Sequence, residues 1–181
     1  MPAEETHEIG RRGVIETQAL LWRILGKSLR LPFNAYDHPE KLSFSVGSQF
    51  GIDPFNFDLR GNLERRDNRL AGGLEAKDVF VEVKSYESAA DLLAKYRDFL
   101  KRAAVVTTIS EYKQAWFFYV SSVPFGSSFG IELCDGTFLR ACAEEWDAAL
   151  RSHASGLESR VAVIVATQSF RRVLARWRYD D

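Results

Sequence analysis

The chain has little cysteine and little histidine, and this restricts the metal sites it can form. Cys134 and Cys142 are its two cysteines, and it has three histidines. Zinc sites group several such ligands at short, regular spacing, and no spacing of that kind occurs here. We therefore expect no zinc site, and we interpret both cysteines as small buried apolar residues.

The sequence also lacks a charge excess and a long apolar run. Its 24 Lys and Arg residues nearly balance its 25 Asp and Glu residues, so any nucleic-acid binding has to depend on local clusters of charge. No apolar run is long enough to span a bilayer, and the charged stretch from Met1 to Arg12 lacks the apolar core of a secretory signal. We expect a cytoplasmic protein without a membrane partner.

What the sequence does contain is enough apolar material for one substantial core. Of its 181 residues, 46% are hydrophobic, which favours a single domain over residues 1–181 of mixed α and β type. The spacing of apolar residues predicts helices and strands in alternation. The predicted helices cover residues 8–26, 88–102, 143–150 and 170–177. The predicted strands cover residues 55–60, 78–84, 115–120 and 161–166, with a short hairpin about Asp135 and Gly136 and an irregular connection or edge strand within 31–49.

Charged residues stand inside two of these apolar strands. Asp58 follows Phe55–Phe57, and Glu82 and Lys84 alternate with valines in the strand 78–84. Side chains alternate between the faces of a strand, so Glu82 and Lys84 share one face with Phe80. A charged group in such a place needs a partner or a bound metal to offset its desolvation. We interpret these residues as a candidate site.

The residue types in this candidate site are those of phosphodiester hydrolysis. If the two strands pair antiparallel, Asp58 lies on the same face as Glu82, and their repulsion favours a divalent cation such as Mg²⁺ between them. Lys84 can then orient or help to deprotonate water and neutralise charge on a scissile phosphate. The sequence has no phosphate-cradling glycine loop and no evident serine or cysteine nucleophile with a histidine base. The alternative is a salt bridge on the solvent face of an edge hairpin.

These motifs are similar to those of a known family. Asp58, then Glu82-Val83-Lys84 at the end of an apolar strand, then a helix and a hydrophobic strand, resembles the PD-(D/E)XK nuclease superfamily. The helix that contains Gly13–Glu16 resembles the first helix of its restriction-endonuclease-like members, including the Mrr-type branch. The resemblance covers about residues 8–121.

The resemblance implies a fold and a further site residue. The implied fold is restriction-endonuclease-like, an α/β fold with a mixed central sheet flanked by helices. In such relatives a helical glutamate helps to bind metal, which nominates Glu16 beside Asp58 and Glu82 as a metal-binding and catalytic residue. No proline directly precedes Asp58, whereas Asp53-Pro54 lies just upstream, so Asp53 is a rival for the metal-binding acid.

Several residues around the strands are candidates for contact with nucleic acid. Arginines can hold phosphates by charge and by paired hydrogen bonds, although such residues also occur at soluble hairpin tips. The candidates are Arg60, Arg65, Arg66, Arg69 and Ser85.

We therefore expect a nuclease that depends on Mg²⁺, with Mn²⁺ able to substitute, and that cleaves DNA. Two alternatives stay open, a catalytically inactive binding or assembly module with the same fold and a nuclease that acts on RNA. Assembly as a homodimer or as a larger defence-type complex is open too.

Overall fold

The fold is a mixed α/β arrangement of one large sheet with helices on both faces. The computed structural model describes residues 3–64, 76–84, 91–122, 133, 136–166 and 173–175. Its helices are α1 (Ala3–Leu25), α2 (Leu92–Thr107), α3 (Gly136–Glu144) and α4 (Ala148–Arg151). Its strands are β1 (Leu29–Asn34), β2 (Ser43–Phe44), β3 (Phe55–Asn56), β4 (Leu59–Glu64), β5 (Ala76–Lys84), β6 (Trp116–Ser121), β7 (Val161–Ala166) and β8 (Val173–Ala175).

Six of these strands form the main sheet in the order β1-β4-β5-β6-β7-β8. The pairs β1/β4, β4/β5 and β7/β8 are antiparallel, whereas β5/β6 and β6/β7 are parallel. The helix α2 connects β5 to β6, and α3 and α4 lie between β6 and β7 in the chain, as parallel neighbours require a crossover. The two short strands β2 and β3 pair separately.

Each face of the sheet carries its own hydrophobic core. On one face, Val79 and Val81 of β5 pack in a cluster with Val14 and Leu21 of α1. On the other face, Phe80 packs in a larger cluster with residues of α2, α3 and α4. β6 is buried on both faces, because Phe117 and Tyr119 belong to the second cluster while Phe118 and Val120 belong to the first.

The edge strand β1 contains an extra residue that bends it over β4. Arg30 lies opposite Asn62, but Phe33 lies opposite Arg60, so Leu31 and Pro32 together face Gly61. This is a β-bulge, a place where a strand tolerates proline. A Cβ atom on Gly61 would lie 1.7 Å from the Arg30 carbonyl oxygen. Glycine is therefore a steric requirement at this position.

The structure confirms several of the predicted elements. Residues 161–166 form β7, residues 116–121 form β6, and β4, which begins directly after Asp58, is the antiparallel neighbour of β5, which carries Glu82. The first helix is present, and it buries Val14 and Leu21, but Ile15 and Trp22 are exposed to 47% and 62%.

Other predicted elements are wrong. Residues 61–64 continue β4 and do not form a loop. They pair with β1, whose bulge lies opposite Gly61. Helix α3 replaces the predicted hairpin about Asp135 and Gly136, since Leu139, Cys142 and Ala143 form a buried helical face. Val173–Ala175 forms β8 in place of a closing helix, because a short apolar run fits either structure and here pairs with β7.

The bulge generates a prediction for Gly61→Ala. The added methyl group overlaps backbone atoms of β1, which cannot move aside as a side chain can. We expect the substitution to lower the free energy of unfolding by about 3 kcal/mol or more, measured by urea denaturation. The control is Asn62→Ala, an exposed neighbour in the same strand, which should cost less than about 1 kcal/mol. Equal effects of the two substitutions would contradict the steric requirement.

Candidate functional site

Strand β5 places Glu82 and Lys84 on the sheet face that α2 covers. Phe80, two residues before Glu82, lies in the core under α2, and alternation puts Glu82 and Lys84 on the same side. Glu82 is only 4% exposed, and its Oε1 atom lies 2.5 Å from Lys84 Nζ. Because β5 lies between β4 and β6, this pair is not the solvent-facing salt bridge of an edge hairpin.

Asp58 lies immediately before β4, at the point where the chain enters the main sheet. Its N–H donates to the Val81 carbonyl at 2.9 Å, and its Oδ2 accepts the N–H of Val83 at 2.6 Å. The next residue, Leu59, pairs with Val81, the residue before Glu82. Asp58 thus lies beside the end of β5 that carries Glu82 and Lys84, close enough for the charges of both to act on its carboxyl group.

The turn of chain before Asp58 explains why this acid and not Asp53 reaches Glu82. Phe55 and Asn56 belong to β3 of the small sheet, so the predicted continuous strand 55–60 is in fact divided. Phe57 N–H still donates to Leu42 of the small-sheet segment, at 3.2 Å, whereas Asp58 N–H donates to β5. Asp53 lies further upstream and is exposed.

The environment of the Asp58 carboxyl group favours its protonated form. Burial, and then the negative charge of Glu82, raise the pKa of Asp58 from 3.8 to about 7. The hydrogen bond from Val83 N–H and the positive charges of Lys84 and Arg102 act in the opposite direction. Repulsion between neighbouring carboxylates is what a bound cation relieves.

Arg102 is a member of this cluster that sequence reasoning missed. It projects from α2, and its Nη1 atom lies 3.6 Å from Glu82 Oε1, while its guanidinium lies 5.7 Å from the ring centre of Phe55. A helix-spacing argument could have found it, because Arg102 is three residues after the buried Phe99 and next to the buried Ala103. We call Asp58, Glu82, Lys84 and Arg102 the acid–base cluster.

The structure does not bring Glu16 into the acid–base cluster by any contact that it describes. Helix α1 packs on the other face of the sheet, through Val14 and Leu21. The Glu16 side chain is 60% exposed, and its Oε1 accepts a hydrogen bond from Arg12 Nε at 2.8 Å. The metal-binding role that the family resemblance implies for Glu16 stays a prediction.

The predicted nucleic-acid residues are mostly outside the described residues, where Arg65, Arg66, Arg69 and Ser85 lie. Arg60 is described, and it is held within the protein. Its guanidinium donates to the Lys41 carbonyl at 3.1 Å and to Asp78 at 3.3 Å, and it lies 4.8 Å from the ring centre of Tyr112. These contacts indicate a structural role for Arg60.

The chemistry of the acid–base cluster fits a magnesium ion. Mg²⁺ in proteins is commonly held by one or two carboxylates, with water and substrate phosphate completing its shell, and Asp58 and Glu82 supply two. In the described parts of the chain, no group of three or more His, Cys, Asp or Glu residues is placed to hold a metal. The fit therefore depends on two carboxylates alone.

Comparisons with known proteins add no assignment. No protein-family model matches the chain, and neither the curated proteins nor the solved structures give a significant match. Among the helices of the described residues, none combines the length and apolarity needed to cross a bilayer.

The raised pKa of Asp58 generates a prediction about stability and pH. Asp58 keeps its proton to about pH 7 in the folded protein but loses it near pH 4 in the unfolded chain. Its ionisation therefore lowers the free energy of unfolding as pH rises through that interval. Asp58→Asn removes this penalty and keeps an acceptor for Val83 N–H. In EDTA, the stability of the variant relative to wild type should therefore increase by roughly 3 kcal/mol between pH 4.5 and pH 8.

Urea unfolding at several pH values measures this difference. The control is Asp53→Asn, the same chemical change at an exposed position, whose stability relative to wild type should stay constant over the interval. A difference for Asp58→Asn that is flat or declines with pH would show that Asp58 is an ordinary ionised carboxylate.

Proposed function

We propose that this protein is a metal-dependent nuclease that hydrolyses phosphodiester bonds in DNA. The observation that carries the proposal is the convergence of Asp58 and Glu82 with Lys84 Nζ at 2.5 Å from Glu82. Buried carboxylates repel each other and cost desolvation energy. An arrangement that holds two of them together beside an ammonium group is suited to a cation and a phosphate.

The order of elements supports the proposed family. A helix, three strands in antiparallel contact, a helix and a parallel strand occur here as α1, β1, β4, β5, α2 and β6. The acid stands at the start of β4 and the Glu-x-Lys motif at the end of β5, as the resemblance to PD-(D/E)XK nucleases implies. We propose a restriction-endonuclease-like fold on this basis.

Each residue of the proposed site has a role that its chemistry permits. Asp58 and Glu82 would hold Mg²⁺, which would supply positive charge at a phosphate oxygen and acidify a bound water. Lys84 orients the attacking water and neutralises charge that develops on the phosphate. Val83 fixes the Asp58 carboxylate through the 2.6 Å hydrogen bond from its N–H, so that one acid is positioned by the sheet itself.

One observation favours a second candidate, the binding or assembly module. The acid–base cluster contains two acids and two bases, so its charges can balance without a metal, and buried ion pairs of this kind also occur as structural features. In that case the protein binds nucleic acid or a partner without cleaving. Cleavage assays separate the two candidates.

The test is cleavage of supercoiled plasmid DNA by the purified chain in Mg²⁺ or Mn²⁺. We expect nicking or cutting that EDTA abolishes, and we expect Glu82→Gln and Lys84→Met to reduce the rate at least about 100-fold. Lys77→Met is the matched control, because Lys77 lies on β5 but alternates to the other face, and it should cleave at the wild-type rate. Labelled duplex DNA, single-stranded DNA and RNA of one sequence then identify the substrate.

Two results would contradict the metal-dependent mechanism. One is cleavage that persists in EDTA. The other is a wild-type rate for a Glu82→Gln variant whose circular dichroism and melting temperature show it to be folded. A wild-type protein that binds the probes but cleaves none of them would favour the binding module.

A further inference from the structure

Arg102 approaches the acid–base cluster from a different layer of the fold than its other members. Asp58, Glu82 and Lys84 belong to the sheet, whereas Arg102 belongs to α2, which covers that face. Its guanidinium is held between the Phe55 ring at 5.7 Å and Glu82 Oε1 at 3.6 Å. Its side chain keeps 32% of its surface exposed, so it borders both the buried acids and solvent.

Two other arginines of this chain, Arg60 and Arg151, use their donors within the protein. Arg60 donates to a carbonyl and a carboxylate. Arg151 donates to the carbonyls of Ala143, Glu144 and Trp146. Arginines with such contacts brace the loops and helix ends beside them.

Arg102 differs from these structural arginines in its hydrogen bonding. Within the described residues its guanidinium makes no hydrogen bond, and 3.6 Å to Glu82 is an ion-pair distance beyond hydrogen-bond length. A guanidinium carries five N–H donors in a planar fork that matches two oxygens of a phosphate. Donors beside a carboxylate pair and at the protein surface are available to such a ligand.

The charges of the acid–base cluster favour an anionic ligand once a divalent cation is bound. Lys84 and Arg102 both face the same oxygen of Glu82, so two negative and two positive side chains balance when all are ionised. A divalent cation held by Asp58 and Glu82 would leave a surplus of two positive charges. An anionic ligand that contacts the cation, Lys84 and Arg102 together offsets part of this surplus, and a nucleic-acid phosphate supplies one negative charge and the oxygens for these contacts.

We propose that Arg102 is a phosphate-binding residue of this site. Without a divalent cation it neutralises Glu82, and with the cation and substrate bound it donates to phosphate oxygens of the nucleic acid. The inference rests on the proposed function for the identity of the substrate, and it names a residue outside the Asp, Glu-x-Lys motif. It also implies that Arg102 competes with a cation for Glu82.

The test compares Arg102→Met with Arg97→Met in two binding measurements. Methionine keeps an apolar stem that can cover Phe55 but removes the charge and the donors. Arg97 is an exposed residue of the same helix, near Phe138 rather than Glu82, and serves as the matched control. Calorimetry measures Mn²⁺ binding without DNA, and fluorescence anisotropy measures binding of a labelled 20-base-pair duplex with Ca²⁺ in place of Mg²⁺.

For Arg102→Met, we expect duplex affinity to fall without any loss of Mn²⁺ affinity. Mn²⁺ should bind as tightly as to wild type or about threefold more tightly, because a competing charge is gone. Duplex affinity should fall about tenfold, and the slope of its logarithm against salt concentration should decrease by about one, as for one lost phosphate contact. Arg102→Lys should recover part of the affinity, and Arg97→Met should match wild type in both measurements.

The outcomes distinguish this inference from the proposed function. If Arg102→Met binds the duplex with wild-type affinity and salt slope, the inference is overturned even where wild type cleaves DNA. If Arg102→Met melts at a lower temperature and loses Mn²⁺ and duplex binding together, Arg102 is a structural residue and the inference is overturned. If wild type fails to cleave but Arg102→Met alone weakens duplex binding, the phosphate contact stands and the nuclease proposal fails. A wild-type protein that binds no duplex overturns both.

Discussion

The antiparallel pairing of β4 with β5 is the constraint on which the rest of this site depends. It fixes Asp58 beside the end of β5 that carries Glu82, and it does so through backbone hydrogen bonds, such as that from Asp58 N–H to the Val81 carbonyl, that are indifferent to the charges involved. The carboxylate of Asp58 takes part in the pairing itself, because it accepts the Val83 N–H. A shift of one residue would move Glu82 to the other face of the sheet. The core packing of Phe80 on one face and of Val79 and Val81 on the other opposes such a shift.

This constraint forces two acids into a region where burial is unfavourable to charge. The raised pKa of Asp58 expresses the cost, and the Lys84 and Arg102 side chains offset part of it. Ionisable groups with strongly perturbed pKa values are more often found at functional sites than in ordinary cores. Under the proposed function, a divalent cation and a phosphate would replace these internal ion pairs.

The sequence was sufficient for the parts of the site that follow from local geometry. Strand alternation alone placed Glu82 and Lys84 on one face, and the antiparallel pairing on which the prediction for Asp58 depended is present in the structure. Arg102 was not predicted: helical spacing puts it beside the buried Phe99 and Ala103, but its approach to Glu82 depends on how α2 packs on the sheet. The β-bulge opposite Gly61 and the pairing of Val173–Ala175 with β7 were missed for the same reason, since both depend on strands distant in the chain.

The central claim is that the acid–base cluster, and no other acidic surface of the protein, takes up a divalent cation. Paramagnetic Mn²⁺ broadens the nuclear magnetic resonance signals of amides close to it, so a ¹⁵N-labelled sample titrated with substoichiometric Mn²⁺ locates the cation directly. The account predicts that the amide signals of Asp58 and Val83 broaden first and that Glu82→Gln prevents this. Broadening that begins at the exposed acids Glu144 and Glu145, with the Val83 signal unchanged, would contradict it.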